Sequence, residues 1–226
     1  MQAVILAAGK GTRMAKHFSG PKHLLPVAGK PVIEHTLGFL PAEVDELILV
    51  VGGPYENEIR QHFQHGFGGR PIRFAVQQEQ LGLAHAFACA RPLVRGRWLG
   101  MVGDDIFGPR GLQELVQHDL GVLAARVEHP ESFGVLVANA AGQLVQSVEK
   151  PQEFISDLVW TGAMVMDERF FTVQIAPSAR GEYETPDVWM QLIAAGWSIQ
   201  VVAADFWLPI NDKEQLEEAR WTLERQ

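Results

Sequence analysis

The stretch Ala3-Val4-Ile5-Leu6-Ala7-Ala8-Gly9-Lys10-Gly11-Thr12-Arg13 decides the fold. Its apolar run shows no polar alternation, which marks a strand covered on both faces rather than one with a wet side. At Gly9 the chain leaves the strand for a glycine-rich loop. Glycine lets backbone N–H groups approach an anion, and Lys10 and Arg13 add positive charge. The spacing is neither the P-loop pattern, since Gly-Lys-Ser/Thr is missing, nor G-x-G-x-x-G. Read alone, the segment is either a plain strand-to-helix turn or a phosphate cradle.

The same buried-strand signature recurs at residues 47–51 and 98–102, with a shorter candidate at 72–76. Helical patterns separate them. Residues 32–40 follow Pro31 and residues 55–65 follow Pro54, both prolines at helix-start positions, and residues 83–90 are short and alanine-rich. Alternating strand and helix up to about residue 118 predicts a parallel sheet with helices on both faces. Strand-like runs then follow at 121–127, 133–138, 144–148 and 159–166. A helix over 186–195 ends at Gly196, a strand spans 199–204, and an amphipathic helix spans 213–223. The pattern predicts one Rossmann-like α/β domain over residues 1–226, with a mixed, mainly parallel central sheet flanked by helices. Its cleft should lie over the carboxyl ends of the parallel strands.

Composition removes several classes. Of 226 residues, 47% are hydrophobic and 20% charged, which is globular usage and not that of a disordered or fibrous chain. Nineteen basic against 27 acidic residues give a net charge of −8, so neither a nucleic-acid partner nor a membrane surface is expected. Cys89 is the only cysteine, which excludes an internal disulfide and a cysteine-built metal cluster; in an alanine-rich helix it reads as a small buried residue. The N-terminal apolar run has no basic segment before it and is too short to span a bilayer, so a cytoplasmic protein is expected. His62 and His65 share a helical spacing but have no third ligand nearby, and a polar helix face is the reading for both. Trp189, Trp197, Trp207 and Trp221 read mostly as core or interface.

Pro21-Lys22 gives the loop a further cation. A loop that opens on Gly9-Lys10-Gly11-Thr12-Arg13 and closes on Pro21-Lys22 resembles the sugar-1-phosphate nucleotidylyltransferases, or nucleoside-diphosphate-sugar pyrophosphorylases. The similarity continues in order. Residues 77–86, Gln-Gln-Glu-Gln-Leu-Gly-Leu-Ala-His-Ala, resemble their nucleobase segment. Gly103-Asp104-Asp105 resembles their metal-binding strand end. Phe133-Gly134-Val135, Val148-Glu149-Lys150-Pro151 and Thr161-Gly162 resemble their sugar-binding strands, and Gly181-Glu182-Tyr183-Glu184 and Trp207-Leu208 their late segments.

The resemblance implies the nucleotide-diphospho-sugar transferase fold, with a nucleotide-binding half (1–118) and a sugar-binding half (119–226). It implies in-line attack by a sugar 1-phosphate oxygen on the α-phosphorus of a nucleoside triphosphate, releasing pyrophosphate. Such chemistry needs no protein nucleophile; it needs two anions held in line and their developing charge neutralised. The catalytic residues implied are Arg13, on the leaving pyrophosphate, and Lys22, on the α-phosphate. Leu6, Ala7, Ala8, Gly9, Gly11, Thr12 and Arg13 would surround the nucleotide. The Gln77 amide would read a pyrimidine edge, and Gly82 would let the backbone lie against the base. Lys150 would hold the sugar phosphate and Glu149 the sugar hydroxyls, with Gly134 and Gly162 leaving room for the ring. Thr161 either adds a hydroxyl or is an ordinary strand residue. The cofactor implied is Mg2+, with Asp104 as its carboxylate ligand; Asp105 is the alternative ligand or a cap for the following turn.

Two departures matter. Thymidylyltransferases of this family carry an acidic residue two positions after the late tryptophan, where this chain has Pro209. The following Ile210-Asn211-Asp212 instead resembles N-acetylglucosamine-1-phosphate uridylyltransferases, which makes Asn211 the second metal ligand. Leu83 replaces a threonine of their base loop, and the chain ends before their acetyltransferase domain. An effector site built from the extra C-terminal helices of the longer thymidylyltransferases is expected to be missing. The expected partners are a pyrimidine nucleoside triphosphate, UTP ahead of dTTP, and glucose 1-phosphate, in an assembly compatible with a homo-oligomer. The alternatives are an N-acetylglucosamine-1-phosphate uridylyltransferase, a cytidylyltransferase of a polyol or cofactor phosphate, and an inactive NDP-sugar sensor.

Overall fold

A computed structural model describes the chain except Lys10, residues 12–17, Ser19 and Gln226. In chain order its elements are β1 (Gln2–Leu6), β2 (Pro26–Val27), β3 (Lys30–Pro31), α1 (Val32–Gly38), β4 (Glu46–Val51), α2 (Glu56–His62), β5 (Ile72–Val76), α3 (Leu83–Cys89) and β6 (Trp98–Val102). There follow β7 (Ile106–Phe107), α4 (Pro109–Leu115), β8 (Gly121–Arg126), β9 (Gly134–Ala138), β10 (Leu144–Glu149), β11 (Leu158–Met166), α5 (Thr185–Ala194), β12 (Gln200–Ala203), β13 (Trp207–Leu208) and α6 (Lys213–Leu223).

β1 lies between two parallel neighbours, with Val4 opposite Ile48 of β4 and Gly100 of β6. All five of its residues are buried, as the unbroken apolar run predicts. Alternate side chains feed two cores. Val4 and Leu6 join Ile48, Val50, Phe87 and Trp98 on one face. Ala3 and Ile5 join Leu47, Leu49, Leu99 and Met101 on the other.

The described strands form a nine-stranded sheet ordered β10-β9-β11-β6-β1-β4-β5, with β8 on β11 and β12 on β8. β5, β4, β1 and β6 run parallel, β11 runs antiparallel to β6, and β12 is parallel to β8. The domain is therefore α/β with a mixed, mainly parallel sheet. β11 joins β6 to β8 and β9. Residues 163–166 pair with β6, whereas Val159 pairs with β9, which leaves a gap beside residues 160–162.

Several elements depart from the sequence reading. The helix expected over 55–65 is divided: Gly53–Tyr55 form a 3-10 turn and α2 ends at His62. α4 has no counterpart in the predicted pattern. Pro109 begins it, and the capping carboxylate comes from Asp205, which accepts from Gly111 N at 2.8 Å and Arg110 N at 3.3 Å. A third, smaller core of Leu25, Val27, Val32, Ile106, Leu208 and Ile210 packs α6 through Leu216 and Ala219, beside the β7–β13 ribbon.

Candidate active site

The carboxyl ends of β1, β5 and β6 open onto a cavity of about 400 Å3 lined by Leu6, Ala8, Gly9, Gly11, Lys22, Gln77, Gly82, Asp104 and Asn211. A second cavity, of about 460 Å3, is lined by Gly134, Glu149, Lys150, Thr161, Gly162 and Trp207, and by Leu83, Asp104 and Asn211 again. The last three residues therefore stand where the two cavities meet. Ala7 is buried beneath the first cavity. Thr12 and Arg13 lie outside the described residues.

Lys22 sits in a 3-10 turn and is only 6% exposed. Its Nζ donates to Asp104 Oδ2 at 2.7 Å. Burial works against the charge on Asp104, but the Lys22 ammonium and His23 hold the carboxyl below its ordinary range. His23 packs against Gly9 and Gly103, its Nδ1 has no hydrogen-bond partner among the described residues, and burial pushes its ring below the usual histidine range. A bulkier residue at Gly103 would strike Leu6 O at 2.7 Å, so this glycine keeps the ends of β1 and β6 together.

Asp105 turns the other way. Its Oδ2 accepts from Trp207 Nε1 at 3.0 Å and its Oδ1 from Ile210 N at 3.3 Å. Burial, and then the charge of Asp104, push this carboxyl up to about 7. Asn211 follows Ile210; its backbone N–H donates to Gln215 Oε1 at 2.8 Å, and Asp212 caps α6.

In the first cavity, Gln77 is buried and its amide donates to Gly82 O at 3.3 Å, with His85 Nδ1 at 3.1 Å. Gly82 has φ of 97°, and a Cβ there would stand 2.7 Å from Tyr183 O. The glycine is thus required by the backbone strap behind the loop. Gln80 donates to Ala8 O and ties this loop to the end of β1.

In the second cavity, Lys150 Nζ lies 3.7 Å from Glu149 Oε1, and Arg180 Nη2 lies 3.4 Å from the same oxygen. Burial pushes the Glu149 carboxyl above its ordinary range, with Lys150 pulling the other way. The Thr161 side chain is spent within the sheet, its hydroxyl donating to Leu123 O at 3.0 Å. Gly162, at φ of 99°, leaves the space into which Val102 Cγ2 projects.

Gln80 and Arg180 were missed as individual site residues in the sequence. Gln80 lies within residues 77–86, and Arg180 immediately precedes Gly181-Glu182-Tyr183-Glu184. Of its three carboxylate neighbours, Glu182 and Glu184 are local, and only the fold brings Glu149 to it.

Among the described residues no group of three or more His, Cys, Asp or Glu could cage a metal ion. The donors at the junction are the Asp104 carboxylate, whose side chain is 35% exposed, and the Asn211 amide. These are hard oxygens, few in number, and they fit a cation that keeps water and phosphate as its remaining ligands.

Two cavities that share the Asp104 carboxylate, with the buried Lys22 ammonium lining the first, suit the meeting of two anions, and the class defined here is a transferase acting between phosphates. The family described as nucleotidyl transferase matches residues 2–226, and the chain belongs to it. It is an enzyme of the nucleotidyltransferase class. The chain is 35% identical over 238 residues to the UTP–glucose-1-phosphate uridylyltransferase AglF of Haloferax volcanii, covering 100% of this chain and 98% of that one. It is 37% identical to a glucose-1-phosphate thymidylyltransferase of Neisseria meningitidis, covering 97% and 81%. It is 34% identical to the bifunctional protein GlmU of Methanococcus maripaludis, of which it spans 51%. A Bacillus anthracis protein assigned as a glucose-1-phosphate thymidylyltransferase, solved with sucrose, superimposes with a TM-score of 0.83 at 25% identity, covering 98% and 95%. Among the described residues no helix is long and apolar enough to cross a membrane.

Proposed function

We propose that the chain transfers a nucleotidyl group from a pyrimidine nucleoside triphosphate to a sugar 1-phosphate, with UTP and glucose 1-phosphate as the preferred pair and dTTP second. One observation carries this reading: the two cavities meet at Asp104 and Asn211. A nucleotide in the first would present its α-phosphate to a sugar phosphate in the second. An oxygen of the sugar phosphate attacks the α-phosphorus, the bond to the β-phosphate oxygen breaks, and pyrophosphate departs with the electron pair. No proton need move.

The protein's part is charge and alignment. Lys22, held on Asp104, adds positive charge where the α-phosphorus becomes five-coordinate. Arg13 holds the departing pyrophosphate and Lys150 the incoming sugar phosphate, while Gln77 reads the base and Glu149 takes sugar hydroxyls. Mg2+, when bound, supplies charge neutralisation between the phosphates, and Asp104 and Asn211 are the residues that would hold it. The full-length similarity to a uridylyltransferase supports UTP, and a nucleoside triphosphate substrate supports a cytoplasmic setting. Pyrophosphate release in a four-nucleotide panel with glucose 1-phosphate tests the base assignment. UTP and dTTP should lead; ATP or GTP as the best substrate would overturn it.

A further inference from the structure

We propose that Asp105 is the positioning residue of the cation site, holding Asn211 opposite Asp104 through the segment that precedes it. The inference deepens the proposed function and rests on the cation role given there to Asp104 and Asn211.

Asp105 is neither a free carboxylate nor a local turn cap. It is 8% exposed. Both oxygens accept from donors more than a hundred residues away, Trp207 Nε1 and Ile210 N. Asp105 also lines the second cavity, but each of its oxygens already accepts a hydrogen bond, whereas the Asp104 side chain is 35% exposed. Burying the Asp105 carboxylate is costly, so its donors must fix it firmly. Its own carbonyl oxygen accepts from Thr36 Oγ1 at 2.6 Å, and Thr36 is fully buried on α1. This bond holds the backbone and does not involve the carboxylate that meets Ile210.

The chain order makes the consequence specific. Asp104 precedes the anchor, and Asn211 follows the anchored amide of Ile210. One hydrogen bond thus joins the immediate neighbours of both proposed ligands. On its other side Asn211 is fixed by Gln215, and the Ile106–Leu208 and Phe107–Trp207 pairs of the β7–β13 ribbon set the register between the two segments. Without the Asp105 carboxylate the ribbon would remain, but the Ile210 amide would lose its acceptor and Asn211 its fixed approach.

The test is a double-mutant cycle read by calorimetry, titrating Mg2+ into the protein saturated with a non-hydrolysable α,β-methylene UTP analogue. Asp105→Ala and Asn211→Ala should each weaken Mg2+ binding, by about 10-fold, the scale on which supporting residues act at metal sites. The double variant should be no weaker than either single one, because Asp105 acts through Asn211. Asp105→Leu, which keeps the branched shape and has no acceptor for the Ile210 amide, carries the same cycle if the alanine variant does not fold. Thr36→Val removes the bond to the Asp105 backbone and spares the carboxylate, so it should lower stability without moving Mg2+ affinity. Additive losses, an unchanged affinity in the Asp105 variants, or an equal loss in Thr36→Val would each overturn the proposal. Failure of the proposed reaction would appear separately, as absent pyrophosphate release by the wild-type enzyme, since the cycle reads binding alone.

Discussion

The Lys22 ammonium rests on Asp104 Oδ2 at 2.7 Å, although 82 residues separate the two in the chain. The lysine is buried and the carboxylate half-open to the cleft, so the pair keeps a positive charge in place where water alone would not hold it. Lys22→Ala should lower kcat by about 10²–10³, the usual cost of losing a donor aimed at developing charge. KM for the nucleotide should change far less. Steady-state kinetics decide it, and a change confined to KM would reassign Lys22 to ground-state binding.

Asp104→Asn and Asn211→Ala should differ in kind. Removing the carboxylate charge should nearly abolish turnover at any practical Mg2+ concentration. Removing a neutral oxygen should be partly rescued by raising Mg2+, because water can replace it. Mg2+ titrations of both variants check this. The apo protein should bind Mg2+ poorly and the nucleotide complex well.

Gly82→Ala should damage the base loop through the backbone. The position has φ of 97°, and the added Cβ would meet Tyr183 O at 2.7 Å and Tyr183 N at 2.9 Å. The expected cost is about 1–3 kcal/mol of stability from the backbone conformation alone, together with weaker nucleotide binding. A fluorescent nucleotide titration alongside thermal unfolding measures both. Unchanged affinity in a destabilised variant would detach this loop from the base.

Asp205 carries a pH dependence remote from the cleft. Burial opposes its charge, but the amides of Gly111 and Arg110 hold its carboxyl below the ordinary range. The folded form therefore binds protons less readily than the unfolded one. The cap's contribution should be complete above the usual carboxylate pKa of about 3.9 and fade as pH falls through the lower folded value. Asp205→Ala should cost about 1 kcal/mol at neutral pH. Its difference from wild type should shrink below pH 4 in urea titrations, and a difference independent of pH would contradict the cap.

Much of this was legible because it is local. The apolar runs of β1, β4 and β6 declare burial on both faces, and α6 begins and ends where its amphipathic pattern does. The cleft followed from β1, β5 and β6 ending at Leu6, Val76 and Val102, just ahead of Gly9, Gln77 and Asp104. What stayed hidden depends on distant partners. α4 is short, contains Gly111, and takes its cap from Asp205. β7 and β13 have two residues each and become strands only against each other. The Asp104-Asp105 pair offered two candidate ligands of the same type; only the fold turns one to the cleft and the other to Trp207 and Ile210.

Phosphorus NMR of the enzyme mixed with UTP, glucose 1-phosphate and Mg2+ tests the central claim most directly. The account predicts that the glucose 1-phosphate resonance declines as pyrophosphate and a sugar nucleotide diphosphate appear in equal amounts, with no orthophosphate formed. Orthophosphate release, or an unchanged spectrum with every pyrimidine triphosphate and sugar 1-phosphate tried, would contradict it.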